Sequence, residues 1–474
     1  MMKQLAILLM CTLLPNITNA ASRNLSTGVK ATGTYNDNLG LASDGATKID
    51  DFVLQLNPYV SYRRDASKVK LNLDYQLQGV FYSDLTSNNK VFHQLSSNVD
   101  ASIYEDIFFV KASAKYGQAN ISSSQKQALN NISLSSNRTN IASVNANPYG
   151  VFKFGQVAKA TVGVNRAAIR YKSTAVGDSD RTNYYASLDS GPKFQKIKWN
   201  ANYTHDVTTY KASPDITFER YDMGLDFSVS RKVSLLATVG NENNNYQRTA
   251  STAAPDAFFW DAGLVWKPST LTSVEIRFGD RFYGKTGFLK LTNKTAKTTS
   301  SLNYNESVTT SSITEAERQI FTVTDPTGAP VSTPGQPNPI DVNLPATAET
   351  FIRKLVKANA QYNTAKSTWS INAFHENRIY QTTNTEEKLY GAGGKFDWNF
   401  MQRTRLLLSA TGRIREFRGG PGKEGIASAD VTLERQMRRN LTGRISAQHI
   451  RLDSTINAND YKQNLLLLGV NWKF

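Results

Sequence analysis

Arg277 and Arg281 stand four residues apart, and Arg413 and Arg415 two apart, each pair in a stretch where apolar and polar residues alternate. On an extended strand both spacings put the two guanidinium groups on one face, because successive side chains point to opposite sides. Planar guanidinium forks suit carboxylates, phosphates and sulfates. The same alternation places Lys70, Lys111, Lys198, Arg220, Arg353, Lys357 and Arg444 on the polar rows of their own segments. Acidic residues on such rows are fewer, among them Asp74, Asp100, Asp222, Asp226, Asp261, Glu275, Glu376 and Glu434. If these rows line one interior, a low-dielectric wall focuses the positive excess and concentrates anions there. The competing reading is structural. The same cations, Arg277 for example, can brace a wall by pairing with carboxylates of neighbouring strands, and part of the excess can meet lipopolysaccharide phosphates.

Other chemistry has little support. There is no G-x-S-x-G and no H-E-x-x-H. Ser123 and Lys126 form an S-x-x-K match, but inside a polar, serine-repeating loop where chance suffices. His93, His205, His375 and His449 fall on separate predicted strands, mostly in the apolar rows. His205–Asp206 and His375–Glu376 are adjacent in sequence, so their side chains leave a strand on opposite faces and form no dyad. No enzyme activity, cofactor or metal is expected. The net charge of +16 and the pI of about 9.6 do not point to nucleic acid, since the cations are spread over strands.

The elements that must position these cations are strands. Val69, Leu71, Leu73, Tyr75, Leu77 and Phe81 oppose Lys68, Lys70, Asn72, Asp74, Gln76 and Gln78. Tyr221, Met223, Leu225 and Phe227 oppose Arg220, Asp222, Gly224 and Asp226, and comparable rows recur at 197–204, 274–282 and 405–415. At the end of the chain Leu466, Leu468, Val470, Trp472 and Phe474 share one face. A terminal aromatic after alternating apolar residues resembles the closing-strand signal that barrel-assembly machinery reads, which makes Val470, Trp472 and Phe474 the expected assembly signal. An apolar row toward lipid and a polar row toward a lumen is the transmembrane β-barrel pattern. The mean hydropathy is only −0.42, and beyond the first twenty residues no apolar run approaches the ~20 residues of a membrane helix.

Met1, Met2 and Lys3, the apolar run Leu5–Leu14, and small residues up to Ala20 read as a secretory signal cut after Ala20. The single cysteine, Cys11, lies inside it, so neither a disulfide nor a thiolate metal site is expected in the remainder. Residues 21–27 are read as a short periplasmic segment and 28–474 as an all-β, antiparallel up-and-down transmembrane barrel. Short connections such as Glu105–Asp106, Ser230–Lys232 and Arg438–Asn440 alternate with longer polar ones such as Asn120–Asn137 and Asn241–Asp256. That order predicts about 22 strands (range 18–22), with both termini periplasmic and the long loops external. One hairpin could be gained or lost within 284–312. Segment 312–350, with six of the fourteen prolines, is the longest external loop, either a lid or inward-folded constriction or a solvated loop. Aromatics near strand ends, including Phe108–Phe109, Phe81–Tyr82 and Phe258–Trp260, are expected in interfacial girdles. A TonB-dependent receptor also has 22 strands but needs a globular plug ahead of the first strand. Strands starting near Gly28 leave no room for one.

Four blocks carry a resemblance: Asp51–Asp84, His93–Gln118, Phe351–Tyr380 and the terminal DYKQNLLLLGVNWKF from Asp460. They resemble the outer-membrane proteins associated with PEP-CTERM/exosortase systems, close to the β-barrel porin group of exopolysaccharide loci. The resemblance implies an outer-membrane barrel of an envelope or exopolysaccharide system. It carries no catalytic motif and no site residues. Its expected partners are outer-membrane lipid, lipopolysaccharide, an acidic polysaccharide and periplasmic export components. The function expected is a porin-like channel for envelope glycans or anionic solutes. A non-conducting docking barrel is the alternative, and an outer-membrane hydrolase a third.

Overall fold

The computed structural model describes residues 22–474 apart from 105, 123–124, 212, 253, 318–347, 418, 420–421 and 456–458. The alternating segments form β1 (Ser22–Asn36), β2 (Asp51–Asp65), β3 (Val69–Tyr82), β4 (Lys90–Tyr104), β5 (Phe108–Asn120), β6 (Arg138–Phe154) and β7 (Ala158–Tyr171). Then come β8 (Ser179–Ser190), β9 (Ile197–Tyr210), β10 (Ile216–Ser228), β11 (Val233–Asn245), β12 (Ala257–Ser269), β13 (Thr272–Arg281), β14 (Gly284–Lys294) and β15 (Thr298–Thr310). After a short helix, α1 (Ser311–Glu317), the chain continues through β16 (Thr350–Asn363), β17 (Ser367–Tyr380), β18 (Glu386–Met401) and β19 (Thr404–Glu416). It closes with β20 (Lys423–Arg438), β21 (Leu441–Ser454) and β22 (Tyr461–Lys473).

Every strand is antiparallel to its sequence neighbours, and β22 returns to β1 from Gly28↔Lys473 to Asn36↔Leu465. Twenty-two strands thus close into one cylinder, the number read from the alternation. Closure removes the exposed sheet edge of an open sheet. The first strand begins earlier than expected. Residues 22–27 pair with β2, starting at Ser22↔Asp65, while pairing to β22 begins only at Gly28. Tight turns close the end that carries both termini, with Asp106 (φ 55°) and Gly155 (φ 56°) in the left-handed region that such turns demand.

The side chains are inverted relative to a soluble protein. In β2, Phe52, Leu54, Leu56 and Val60 are exposed while Gln55 and Asn57 are buried. Gln76, Gln78 and Gln94 are likewise buried, whereas Leu466, Leu468, Ile445, Met223 and Leu225 face outward. Only hydrocarbon around the cylinder makes that arrangement favourable.

The interior contains a core of its own. Leu39 and Leu41, from the β1–β2 loop, and Ala128, Leu129 and Ile132, from the β5–β6 loop, pack against inward residues of β2, β3 and β20–β22 such as Val53, Val80, Ile426, Ile450, Leu452 and Leu465. The polar Asn120–Asn137 loop, expected outside, therefore turns into the barrel. Its apolar residues find burial there, and its amides find amide partners. The Pro-rich segment 312–350 lies mostly outside the described residues, but Ser311, Ser312 and Ile313 are buried, and the Tyr210 hydroxyl donates to Thr310 Oγ1 at 3.3 Å.

Adjacent aromatics divide between the faces, because neighbours on a strand cannot both meet lipid. Tyr82 points inward and donates to the Ile132 carbonyl at 2.6 Å. Phe109 stacks on Tyr149 with ring centroids 5.1 Å apart, and Phe259 lies under Arg220 at 4.2 Å. Of these runs the outward members are Phe81, Phe108, Phe258 and Trp260. The stretch 284–312 holds one hairpin, β14–β15, whose pairing is short: Leu289–Lys294 against Thr299–Tyr304.

Candidate functional site: a half-filled lumen

All eleven basic residues singled out from the sequence sit on rows opposite the exposed apolar ones, yet they do not act as one free cationic surface. Toward the long-loop end, guanidiniums are bound to carboxylates. Arg353 Nε meets Glu376 Oε1 at 2.9 Å, Arg378 bridges Glu376 (2.6 Å) and Glu387 (2.9 Å), and Arg415 Nε donates to Glu387 at 2.6 Å. Arg378 is only 1% exposed, so this chain of charges across β16–β19 is dry. Arg413 Nη2 donates to Gln127 Oε1 at 2.9 Å and lies 3.5 Å from Glu424, tying β19 to the inward loop.

A second cluster spans β10–β13. Arg277 reaches Glu275 (2.7 Å) and Asp261 (3.1 Å). Arg220 Nε meets Asp222 at 2.9 Å, and Glu242 accepts from Arg281 while lying 3.7 Å from Arg220. At the β13–β14 turn, Tyr283 accepts from Arg281 Nη1 at 2.9 Å, and burial pushes its phenol up to about 12. Three guanidiniums here face four carboxylates, so this cluster carries no positive excess. The bracing reading of Arg277 describes what the side chain does.

Nearer the end with the termini the cations are lysine-rich and less engaged. Lys198, Lys290 and Arg444 make no ion pair among the described residues. Lys111 lies over the Tyr149 ring at 5.7 Å, and Lys30, absent from the sequence-derived set, lies over Tyr59 at 5.1 Å. Lys70 makes a long contact to Asp65, 3.9 Å, in its own hairpin. Lys357 is midway along β16, in register with Asn303 of β15 on the inward row.

Beside this less engaged layer, the wall of β8–β13 bounds a cavity of about 490 Å³ lined by Lys198, Asn200, Asn202, Asp222, Asp226 and Thr238, among others. The opposite side is filled. Asn131 Nδ2 donates to Gln78 Oε1 at 2.8 Å, Asn130 Nδ2 to Gln463 at 3.1 Å and Gln127 Nε2 to Glu424 at 2.6 Å. Lys126, of the S-x-x-K match, donates to the Leu41 carbonyl at 2.8 Å and so ties the two inward loops together. The interior is therefore asymmetric, packed along β1–β5 and β19–β22 and hollow along β8–β13. The inward amides of β3, β4 and β22 were the available signal for the filled side. Gln76, Gln78, Gln94 and Gln463 are neutral, paired groups where a water-filled wall has no need of them.

No family model matches the sequence, and no curated protein is similar to it. Solved structures do match. The siderophore receptor PirA from Acinetobacter baumannii aligns with a TM-score of 0.50 at 8% identity, over 97% of this chain and 81% of that one. The fold is that of an outer-membrane β-barrel. The FrpB iron transporter from Neisseria meningitidis (F3-3 variant) aligns equally well, with a TM-score of 0.50 at 10% identity, over 95% of this chain and 81% of its own. At such identities the likeness concerns the fold alone. Together with the apolar belt, it gives a bacterial outer membrane as the surroundings of this cylinder.

The histidines lie on the outward rows. His93 Nδ1 is 2.8 Å from the Tyr75 hydroxyl, His375 stacks on Tyr390 at 4.7 Å, and His449 Nδ1 is 2.7 Å from Asn464 Oδ1. His205 lies 3.8 Å from Glu219, while Asp206 points inward to Arg181, the split that strand geometry requires. Val470, Trp472 and Phe474 are outward and exposed, and the Phe474 amide donates to the Thr27 carbonyl at 2.9 Å.

Proposed function

We propose that this protein is an outer-membrane conduit for a hydroxyl-rich, anionic solute, with an acidic envelope glycan as the passenger class. The observation that carries the reading is the pairing of a hollow polar wall along β8–β13 with lumen cations that have no ion-pair partner among the described residues, Lys198, Lys290 and Arg444. Amide, carboxylate and guanidinium groups on that wall offer the mixed donors and acceptors that sugar hydroxyls use. These cations draw anions toward the mouth at the end with the termini, which this reading assigns to the periplasm. A place in an exopolysaccharide system follows from the sequence resemblance alone and stands as part of the proposal.

Reversal potentials in planar bilayers test it. An anion-selective current, reduced in selectivity by Lys198→Gln, Lys290→Gln and Arg444→Gln together, is expected. Cation selectivity in the unaltered protein would overturn the electrostatic part. The second reading, a non-conducting docking barrel, draws on the Arg–Glu bracing and the inward loops. It requires silence in the bilayer even after the β5–β6 loop is shortened.

A further inference from the structure

The weakest join in the cylinder lies between β14 and β15. Their register covers Leu289–Lys294 and Thr299–Tyr304, so residues 284–288 and 305–310 diverge, although each keeps its other neighbour, β13 or β16. Five residues of strand span roughly 17 Å. The gap occupies the half of the wall nearer the long loops. With eleven residues in β14, at about 3.4 Å each along a tilted strand, it falls within the ~25 Å apolar band.

Glu306 fills part of this gap. Its neighbour Ser307 is in register with the inward Arg353, so Glu306 belongs to the outward row, yet its side chain is only 5% exposed. Its Oε1 accepts from the Gly287 amide at 3.2 Å and from the Tyr304 hydroxyl at 2.6 Å, and Lys354 Nζ lies 3.4 Å from Oε2. A backbone amide freed from a strand pair in hydrocarbon is costly, and a carboxylate there is costlier unless paired. One side chain bridges the two diverging strands: Oε1 satisfies the Gly287 amide, while Oε2 is buried without a hydrogen bond and has only the Lys354 charge beside it. Behind it a cavity of about 320 Å³ is lined by the inward Arg281, Thr286 and Phe288 and reaches Gly287 and Glu306 at the seam itself. Phe278, 68% exposed, marks lipid on the outer side.

We propose that the β14–β15 seam is a lateral portal, latched by Glu306, that admits into the wall the hydrocarbon chain of a lipid from the leaflet at the long-loop end. The occupant follows from position. The seam lies between acyl chains outside the cylinder and Phe288 inside it, with Glu306 and the Tyr304 ring closing it. The proposal stands whether or not the lumen conducts along its axis.

The test uses the barrel in liposomes, labelled with bimane at a single introduced cysteine, since residues 22–474 contain none. Phe288→Cys and Thr286→Cys place the label on the inward row beside the seam, and Asn202→Cys on the inward row of β9 serves as the reference. Phosphatidylcholine brominated on its acyl chains is the quencher. Quenching of the labels at 288 and 286 but not at 202 is expected, with stronger quenching when Glu306→Ala removes the latch. No quenching at the seam, equal quenching at all three positions, or indifference to Glu306→Ala overturns the proposal. Agreement between two seam positions guards against a local misfold at either.

Discussion

The dry charge chain across β16–β19 makes an asymmetric forecast about stability. Arg353, Arg378 and Arg415 share Glu376 and Glu387, so their ion pairs among the described residues join three cations to two anions. Arg378→Met leaves two guanidiniums with two carboxylates, and Arg353–Glu376 and Arg415–Glu387 keep their contacts at 2.9 and 2.6 Å. Glu387→Gln leaves three guanidiniums and one carboxylate in the cluster, with Arg378 fully enclosed. A unit-charge pair about 4 Å apart is worth ~4 kcal/mol at an effective dielectric of 20, before desolvation is counted. Breaking a buried pair so that a charge is stranded costs about 3–5 kcal/mol, whereas losing charge-assisted hydrogen bonds from a set left balanced costs roughly 1.5–3 kcal/mol. Glu387→Gln should therefore destabilise the barrel more than Arg378→Met, and combining the two should recover part of the loss. Urea unfolding in lipid vesicles, followed by tryptophan emission, measures all three variants. Equal costs, or a larger cost for Arg378→Met, would show that packing against Phe351 at 5.4 Å outweighs charge balance and would refute the reasoning.

Three further outcomes are expected. Asn130→Ala with Asn131→Ala removes the amide ties of the β5–β6 loop to Gln463 and Gln78, and should raise mean single-channel conductance or its fluctuation. An unchanged trace would place the limiting constriction elsewhere. Leu468→Arg puts a charge on the lipid row of β22 and should cost roughly 2–4 kcal/mol in the same unfolding assay, whereas a cost near zero would contradict burial of that row in hydrocarbon. Deleting Phe474 removes the last outward ring and its amide bond to Thr27, and should lower the amount of barrel recovered in outer-membrane fractions while leaving purified, refolded protein intact. Normal recovery would remove the terminal residues as an assembly signal.

Strand identity and face were legible in the chain because alternation of period two is a local property. Whether Lys198 or Arg277 faces the interior depends only on parity within its own strand, and all eleven cations fell on the inward row. The number of strands was legible from the alternating segments and the short and long connections between them. Parity also held where the girdle reading did not apply it: Tyr82, Phe109 and Phe259 had to turn inward because each adjoins an outward aromatic.

What each inward cation meets is decided across strands. Arg353, Arg378 and Arg415 lie on three strands, and only the register of β16 to β19 brings them onto Glu376 and Glu387. The inward path of the Asn120–Asn137 loop is likewise tertiary, since its amides are satisfied by Gln78, Glu424 and Gln463 from strands distant in sequence. The seam at Glu306 depends on two strands diverging after six paired positions, which no local pattern encodes. Local alternation determines which side of the wall a residue occupies, while charge partners, filling loops and gaps depend on closing the cylinder.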